Sequence, residues 1–321
     1  MVSTHKFTDD GPTESTFSLR KFLKIKTRQQ LAFWMFFVGL VCIVFAIRLG
    51  LNLEFHPMFI IYMWLVAVLI LSRYVFFALY NPPLLGLGEY EPTVAVIVPA
   101  KNESDAIYDT AKALYKADYP KSKLKVILIN DGSDDDTGKW MDKCGKEFGH
   151  EVIHLVENLG KREAIAVGMK HHKSELTILV DSDSVIEADA IKEGVRGFYS
   201  PKIGAVCGHT DVKNAKVNWL TRMQTQQYFI AFRSFKSLES YFGSVICCSG
   251  AFSIYRTNII KSRMKEWLNQ TFLGLKRTYG DDRGLTNLLL RDGYDTIYAP
   301  NAVARTAVPY TLMQWIRQQI R

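Results

Sequence analysis

The sequence has few cysteines, and their spacing suits neither a zinc site nor a disulfide framework. Five cysteines occur in 321 residues, none in a Cys-x-x-Cys pair, and Cys247 and Cys248 are adjacent. An odd number of mostly isolated cysteines excludes a small disulfide-stapled scaffold and indicates reduced thiols. With 22% charged and 12% aromatic residues, the chain also lacks the composition of a disordered protein, so a core can form.

A concentrated basic stripe is also missing, although the net charge is +8. Residues 1–28 carry six basic and three acidic side chains, and residues 29–88 have a net charge of +1. The rest of the chain holds a dispersed excess of +4. No helix or strand pattern interleaves basic and aromatic residues on one face, so we predict no nucleic-acid partner.

Two long apolar runs lie near the amino end. Leu31–Ile47 has no charged residue, and Pro57–Leu79 is interrupted only by Arg73. Because a membrane span needs about 20 apolar residues, we predict transmembrane helices over 31–50 and 57–80. The alternatives are a cleaved signal peptide for the first run and a buried helix pair for both. The long polar leader and the lack of a polar stripe disfavour them.

The flanking charges predict the orientation of these helices. Five basic residues precede the first run, whereas the link from Arg48 to His56 holds one Arg and one Glu. The five are Arg20, Lys21, Lys24, Lys26 and Arg28. The positive-inside rule then makes residues 1–30 a cytoplasmic basic tail and places everything after residue 80 in the cytoplasm. We therefore expect an integral protein of the cell membrane with the lipid bilayer as a partner.

After a linker over 81–92, short apolar runs alternate with helical stretches. The predicted strands are 94–99, 125–130, 152–156, 176–181 and 203–207, and the predicted helices are 104–117, 134–148, 161–173 and 186–198. This alternation predicts an α/β domain over 93–308 with a mainly parallel sheet. Ligands of such sheets bind at the carboxyl ends of the strands, where the loops gather.

Acidic motifs follow two of these strands. Asp131 ends the second strand, where a carboxylate can accept hydrogen bonds from a base or a ribose; turn and helix-cap chemistry is an equal alternative for this loop. Asp181 and Asp183 end the fourth strand as an Asp-x-Asp pair. Two carboxylates at i and i+2 point the same way and suit Mg²⁺ or Mn²⁺, and a solvated turn before a helix at Ile186 is the alternative.

Charged pairs open two predicted helices. Lys161 and Arg162 add positive charge to a helix amino terminus, which suits a diphosphate, although two solvated cations are the ordinary reading of such a pair. Asp281 and Asp282 begin a later helix, where they serve either as caps or as a general base with a raised pKa. The last segment, 309–321, is amphipathic and contains Trp315, which favours a helix at the membrane surface; a plain surface helix is the alternative.

In this order the motifs resemble those of the processive family 2 glycosyltransferases and are most similar to those of the hyaluronan synthases. Chitin synthases and nodulation-factor chito-oligosaccharide synthases are close relatives in this respect. The resemblance covers the whole chain and implies a glycosyltransferase A-type, Rossmann-like domain after two transmembrane helices. It rests on VPAKNES (98–104), NDGSDDD (130–136), NLGKRE (158–163), VDSDS (180–184), CSGAFSIYR (248–256), FLGLKRTYGDDRGLTN (272–287) and QQIR (318–321).

The resemblance implies roles for the donor-binding residues. Asp131 is similar to an aspartate that contacts uracil, and Lys161 to a lysine near uracil and diphosphate. Asp181 and Asp183 look like the Asp-x-Asp acids, with Asp183 as the direct ligand of Mg²⁺ or Mn²⁺.

For the acceptor side, Asp282 matches the aspartate that deprotonates the acceptor hydroxyl, with Asp281 beside it. Cys247 falls where the hyaluronan synthases often have a cysteine near the acceptor sugar. Gln318 and Arg321 look like the first and fourth residues of the QxxRW motif, whose Arg meets the diphosphate.

Three features depart from the family pattern. Lys101 replaces an aromatic residue of the first loop, and 249–252 (SGAF) differs from the usual acceptor loop. The chain also stops at Arg321, before the Trp of QxxRW, so we expect it to be a truncated form of a longer synthase.

The expected activity is inverting transfer of sugars from UDP-sugar donors to a growing β-linked polysaccharide. Hyaluronan synthesis from UDP-GlcNAc and UDP-GlcUA is the leading expectation. A chitin or chito-oligosaccharide synthase that uses UDP-GlcNAc alone is the alternative, because no residue pattern read here encodes glucuronate selection. An inactive, truncated membrane partner is the hypothesis of another class.

Overall fold

The computed structural model of the chain describes residues 57–81, 84–86, 88, 90–272, 275, 276 and 280–320, and also positions 35, 38, 39, 42, 43 and 46. The chain divides into two compact units, residues 1–79 and residues 80–321. In the first unit, Pro57–Leu79 forms a 23-residue helix, α1. By length and composition it is the one helix among the described residues that is able to cross a membrane. The predicted tail 1–30 lies outside the described residues, as does the predicted span 31–50 apart from the six positions.

The second unit alternates strands and helices. Its strands are β1 (Val94–Ala100), β2 (Leu124–Asn130), β3 (Glu151–His154), β4 (Leu176–Leu179), β5 (Ser184–Ile186), β6 (Ile203–Val212), β7 (Ser253–Arg256), β8 (Thr271–Phe272), β9 (Leu275–Lys276) and β10 (Asp295–Thr306). Its helices are α2 (Ala106–Tyr115), α3 (Thr137–Phe148), α4 (Lys161–Lys170), α5 (Ala190–Val195), α6 (Trp219–Phe229), α7 (Ser237–Tyr241), α8 (Thr257–Leu268), α9 (Asp281–Arg291) and α10 (Leu312–Ile320). A π-helical segment, Ile230–Lys236, joins α6 to α7.

Eight strands form one mixed sheet in the order β3-β2-β1-β4-β7-β6-β10-β5, and β8 and β9 form a separate hairpin. The pairs β1–β2, β2–β3, β1–β4 and β6–β10 are parallel, whereas β7 runs antiparallel to both β4 and β6, and β5 runs antiparallel to β10. The expected α/β class and mainly parallel sheet are therefore confirmed.

Helices cover both faces of the sheet because its central strands are apolar on both sides. All seven residues of β1 are buried. Val94, Val96 and Val98 belong to a core cluster with residues of α2, α3 and α5, whereas Ile97 belongs to a second cluster with residues of α4, α8 and α9. Strands buried on both faces are the signature of a sheet between two helical layers.

The register of the parallel strands places three loops at one edge of the sheet. Ala100, the last residue of β1, pairs with Asn130, the last residue of β2. The Asp131 N–H continues this pairing by donating to the Ala100 carbonyl at 2.9 Å. On the other side of β1, the Val180 N–H donates to the Ile97 carbonyl at 3.2 Å. The segments that follow β1, β2 and β4 therefore lie side by side.

Two features of the sheet differ from the sequence prediction. The predicted helix 186–198 begins later, at Ala190, because Ser184–Ile186 pairs with the end of β10 as strand β5. Strands β7 and β10 were not predicted, although Ser253–Arg256 pairs on both sides, with β4 and with β6. Both differences involve partners that are distant in the sequence, which local periodicity does not report.

The buried ring of His172 predicts a loss of stability in acid. The residue is 4% exposed, and burial, together with Lys261 and Lys125, lowers its pKa from 6.5 to about 4. As the pH falls from about 6.5 to 4, the His172 ring binds a proton in the unfolded chain but stays neutral in the folded protein. This difference in proton binding should lower the free energy of unfolding by about 2 kcal/mol at pH 5. His172→Gln should reduce the decrease in thermal midpoint between pH 7.5 and pH 5, whereas His171→Gln, which changes the exposed neighbouring ring, should keep it. An unchanged decrease in His172→Gln would contradict this account.

Candidate active site

The Asp-x-Asp turn follows β4 at the edge where the three loops meet. Buried Val180 leads into Asp181, and the Ser184 N–H closes the turn by donating to the Asp181 carbonyl at 3.0 Å. The Ser182 carbonyl accepts a hydrogen bond from the Thr110 hydroxyl at 2.8 Å. Desolvation raises the pKa of the Asp183 carboxyl, and the neighbouring Asp181 charge raises it further. A cation near this pair would relieve that repulsion.

Lys161 begins α4 and contacts the turn directly. Its Nζ lies 2.5 Å from Asp181 Oδ1, and the two side chains are 36% and 33% exposed. Burial disfavours the charged amine, but Asp181, Asp282 and Asp281 outweigh it, so the pKa of Lys161 is raised. Lys161 is therefore a fixed cation at a helix amino terminus, open on one side to solvent.

Asp282 approaches the same point from the first turn of α9. Its Oδ2 accepts a hydrogen bond from the Gly250 N–H at 2.9 Å. A Cβ built on Gly250 would lie 2.9 Å from Asp181 Oδ1 and 3.0 Å from each Asp282 carboxylate oxygen, so the two acids converge above this glycine. Burial raises the pKa of Asp282; Lys161 and the Gly250 N–H offset part of the rise, and the Asp181 and Asp281 charges add to it. A carboxylate of raised basicity beside an open edge suits proton abstraction.

Asp131 lies at the strand edge as predicted, but its carboxylate binds the protein. Oδ1 accepts from the Leu159 N–H at 2.8 Å and Oδ2 from the Gly160 N–H at 3.0 Å. Because Gly160 directly precedes Lys161, Asp131 holds the loop that presents the lysine. Each carboxylate oxygen can accept a second hydrogen bond, and a contact with a base stays a prediction. The alternative of turn and cap chemistry describes Asp135, which accepts from the Thr137 N–H at 3.0 Å.

Arg162 lies in the interior rather than beside Lys161 at the open edge, and its contact with a diphosphate stays a prediction. Its side chain is only 7% exposed, and its Nε lies 2.5 Å from Asp281 Oδ1. Its Nη1 donates to the Trp267 carbonyl at 3.0 Å. Asp281, expected beside the reacting groups, is itself 14% exposed and faces this guanidinium. The pair belongs to the interior beneath the site because consecutive residues of a helix point in different directions.

Three further residues predicted from the sequence are Cys247, Gln318 and Arg321. Cys247 is half-buried in the segment that leads to Gly250, and its carbonyl accepts a hydrogen bond from Lys236 Nζ. Burial raises the pKa of its thiol, and the nearby Asp282 charge adds to the rise. Gln318 is exposed on α10, in a cleft with Asn214, Tyr310 and Arg317. Arg321 lies outside the described residues.

Sequence reasoning missed two residues near the Asp-x-Asp turn. Burial raises the pKa of Glu103, and the Asp183, Asp181 and Asp135 charges raise it further. Tyr228 on α6 is affected in the same way by burial and then by Asp183 and Asp181. Glu103 follows β1, so its position at this edge was a readable signal. Tyr228 carried no such signal because its approach depends on how α6 packs.

The acidic turn fits a divalent cation that retains water and phosphate ligands. Among the described residues, no group of three or more His, Cys, Asp or Glu side chains forms a closed metal site. Asp181 and Asp183 supply two hard oxygen ligands on one turn. Mg²⁺ in phosphate-binding sites is commonly held by one or two carboxylates plus substrate oxygens. The donor set therefore suits Mg²⁺ or Mn²⁺ in the presence of a phosphorylated ligand.

Comparison with known sequences identifies the relatives of this chain. The profile described as "Glycosyltransferase like family 2" matches residues 92–321. An N-acetylglucosaminyltransferase of Azorhizobium caulinodans is 36% identical over 233 residues, 72% of this chain and 58% of the relative. One from Rhizobium meliloti is 34% identical over 72% of this chain and 54% of the relative. A hyaluronan synthase of Streptococcus pyogenes is 32% identical over 71% of this chain and 55% of the relative. The chain spans about half the length of these relatives.

Solved structures share the fold at low sequence identity. A mannosyltransferase, PcManGT from Pyrobaculum calidifontis in complex with GDP-Man and Mn²⁺, has a TM-score of 0.60 and 22% identity over 76% of this chain and 65% of its own. S. aureus TarS in complex with UDP-GlcNAc has a TM-score of 0.52 and 19% identity over 70% of this chain and 60% of its own. At these identities the likeness concerns the fold.

Gly132, the residue after Asp131, lies against the backbone of residues 157 and 158. We therefore predict that Gly132→Ala is destabilising. Gly132 has φ +59°, and an added Cβ would lie 2.5 Å from the Asn158 nitrogen and the Glu157 carbonyl carbon. Gly149 has φ +74° with nothing within 4 Å of an added Cβ, so Gly149→Ala tests backbone strain alone. Gly132→Ala should lower the free energy of unfolding by about 2 kcal/mol more than Gly149→Ala. Equal midpoints in urea unfolding would show that the loops can separate freely.

Proposed function

The chain belongs to family 2 of the glycosyltransferases and has the A-type fold of such enzymes. From that premise we propose that it transfers N-acetylglucosamine from UDP-GlcNAc to a hydroxyl of a growing β-linked glycan at a membrane. The observation that carries the proposal is the convergence of Asp181, Lys161 and Asp282 around Gly250. Seven N-acetylglucosaminyltransferases among the relatives support this donor.

The donor diphosphate would lie over the sheet edge, beside Lys161 and the Asp-x-Asp turn. Lys161 keeps its charge because three aspartates raise its pKa, and the amino end of α4 adds a favourable dipole. Asp181 and Asp183 would hold Mg²⁺ or Mn²⁺, which neutralises charge on the diphosphate. Asp131 holds the loop before Lys161, so the lysine is placed before the donor arrives. Stabilisation of the departing diphosphate is a large share of catalysis in such a transfer.

The acceptor would approach from the side of Asp282. Its carboxylate takes the proton of the acceptor hydroxyl as the oxygen attacks the anomeric carbon of the donor. The new carbon–oxygen bond forms on the face opposite the breaking bond to the diphosphate, so the configuration inverts and UDP leaves. The Gly250 N–H holds Oδ2, which directs the carboxylate without neutralising it.

Hyaluronan synthesis, the leading expectation from the sequence, becomes the second candidate. The S. pyogenes hyaluronan synthase supports it, at 32% identity. It requires UDP-GlcUA as a second donor. The more similar N-acetylglucosaminyltransferases instead favour UDP-GlcNAc alone, which was the alternative in the sequence analysis.

Attachment to a membrane is part of the proposal. Helix α1 has 23 residues of which none is buried, and its length matches the hydrocarbon thickness of a bilayer. In the second unit, α10 exposes four apolar side chains, Leu312, Met313, Ile316 and Ile320, next to Arg317. An amphipathic helix with basic residues suits the surface of an anionic leaflet. The flanking charges favour a cytoplasmic catalytic domain.

The proposed base predicts a selective loss of turnover. Asp282→Asn preserves the size of the side chain but removes its basicity, so kcat for UDP-GlcNAc should fall about 1,000-fold. The dissociation constant of UDP, measured by titration calorimetry, should change little. Asp109→Asn, which removes an exposed carboxylate paired with Lys213, is the control and should retain activity. Near-normal turnover of Asp282→Asn would refute the assigned base.

The donor requirement separates the two candidate functions. Membranes containing the full chain should be supplied with Mn²⁺ and UDP-GlcNAc, UDP-GlcUA or both, and UDP release and product size measured. We expect product from UDP-GlcNAc alone that chitinase degrades. A product that requires both donors and is degraded by hyaluronidase would establish the second candidate. Release of no UDP above the Asp282→Asn background would contradict the proposed transfer altogether.

A further inference from the structure

We propose that Arg162 is a positioning residue that fixes the first turn of α9 and so directs Asp282 toward the acceptor. The inference rests on the proposed function for the role of Asp282. The ion pair of Arg162 and Asp281 lies in the interior and takes no part in the proposed transfer. The inference also gives Arg162 a role different from binding the diphosphate.

Two contacts tie the guanidinium to both helices of the α8–α9 pair. Nε lies 2.5 Å from Asp281 Oδ1 at the start of α9. Nη1 donates to the carbonyl of Trp267, near the end of α8, at 3.0 Å. The guanidinium carbon also lies 5.6 Å from the centre of the Trp267 ring. A planar group with several fixed donors can serve two acceptors at once in this way, whereas an amine acts as a single point charge.

Trp267 also binds the start of α9 directly. The Trp267 Nε1–H donates to the backbone carbonyl of Asp281 at 3.1 Å, so Asp281 is bound through its side chain and its main chain. The ring is 1% exposed and cannot move without disturbing the core. The Asp281 backbone is thus fixed from the α4 and α8 side.

The next residue, Asp282, is bound from the other side. Its carboxylate accepts from the Gly250 N–H at 2.9 Å, and its carbonyl accepts from the Thr286 hydroxyl at 2.7 Å. Thr286 in turn accepts from the Cys248 N–H at 3.0 Å. The first turn of α9 therefore lies between a buried cation and the 248–250 segment. Loss of the cation would leave the largely buried Asp281 without its ion-pair partner and free this turn to shift.

The two adjacent cations of α4 therefore pair with different acidic residues. Lys161 contacts the Asp-x-Asp turn at the open edge, whereas Arg162 contacts Asp281 in the interior. Both acidic motifs thus contact the same helix turn. A displacement of about 1 Å at the base can cost on the order of 100-fold in rate, so a residue that never meets substrate can control turnover.

The test compares Arg162→Lys and Arg162→Gln with the wild-type full chain in membranes. We expect Arg162→Gln to lower kcat about 100-fold while KM for UDP-GlcNAc stays within about threefold, because the donor site is retained. Arg162→Lys keeps the charge but serves one acceptor, so it should restore part of the turnover. Arg291→Gln removes an exposed arginine that pairs with Glu266 between the same two helices, and as the matched control it should leave kcat nearly unchanged.

A double substitution separates positioning from direct binding of the diphosphate. If Arg162 acts through Asp281, Arg162→Gln should cost much less in an Asp281→Asn background than in the wild type. If it binds the diphosphate, the cost should be equal in both backgrounds, UDP affinity should fall, and Arg162→Lys should rescue that affinity. That second pattern would overturn the proposal.

Hydrogen exchange provides a readout that does not need activity. In Arg162→Gln the amides of residues 281–286 should exchange faster, while those of β1 and β4 keep wild-type protection and show that the protein is folded. Unchanged exchange in the first turn of α9 would also overturn the proposal. Should the wild-type chain transfer no sugar, the proposed function fails, and the exchange experiment still tests whether Arg162 fixes this turn.

Discussion

The parallel pairing of β1 with both β2 and β4 organises the second unit of the chain. This strand is buried on both faces and parallel to both neighbours, so the segments that follow the three strands meet at one edge. A shift of one residue in register would move the apolar side chains to the opposite face and separate the acidic turn from the loop of Asp131. The location of the site is therefore a consequence of hydrogen bonds within the sheet.

Charge compensation is the second organising feature. Three aspartates, Asp181, Asp281 and Asp282, lie close to two cations from the first turn of α4. One acid is paired at the open edge and one in the interior, while Asp282 has no direct ion pair among the described residues and is held by a backbone N–H. Burial without full compensation raises the pKa of Asp282. The same balance thus leaves Asp282 with a raised pKa, which is the basis of its proposed role.

The fold was predictable where a strand is itself a short apolar run between two helical patterns. The runs that became β1, β2, β3, β4 and β6 are short, apolar and separated by helical patterns, which is sufficient for an α/β assignment. Strand β7 is only four residues long and takes its identity from β4 and β6 on either side. Likewise Ser184–Ile186 is extended because β10, more than 100 residues later, supplies its hydrogen bonds. Local patterns contain no information about such partners.

The candidate site, like the fold, was predictable from the sequence only in part. The acidic turn after β4, the cation that opens α4 and the acid pair that opens α9 were predictable from local pattern, because residue type and strand ends are local properties. Which member of each charged pair faces the candidate site depends on how the helices pack. Lys161 faces the open edge and Arg162 the interior, and Asp282 accepts a hydrogen bond from the Gly250 N–H while Asp281 pairs with Arg162. Consecutive helical residues point about 100° apart, so the packing of α4, α8 and α9 turns Lys161 toward the open edge and Arg162 toward the interior, and it gives Asp281 and Asp282 different partners.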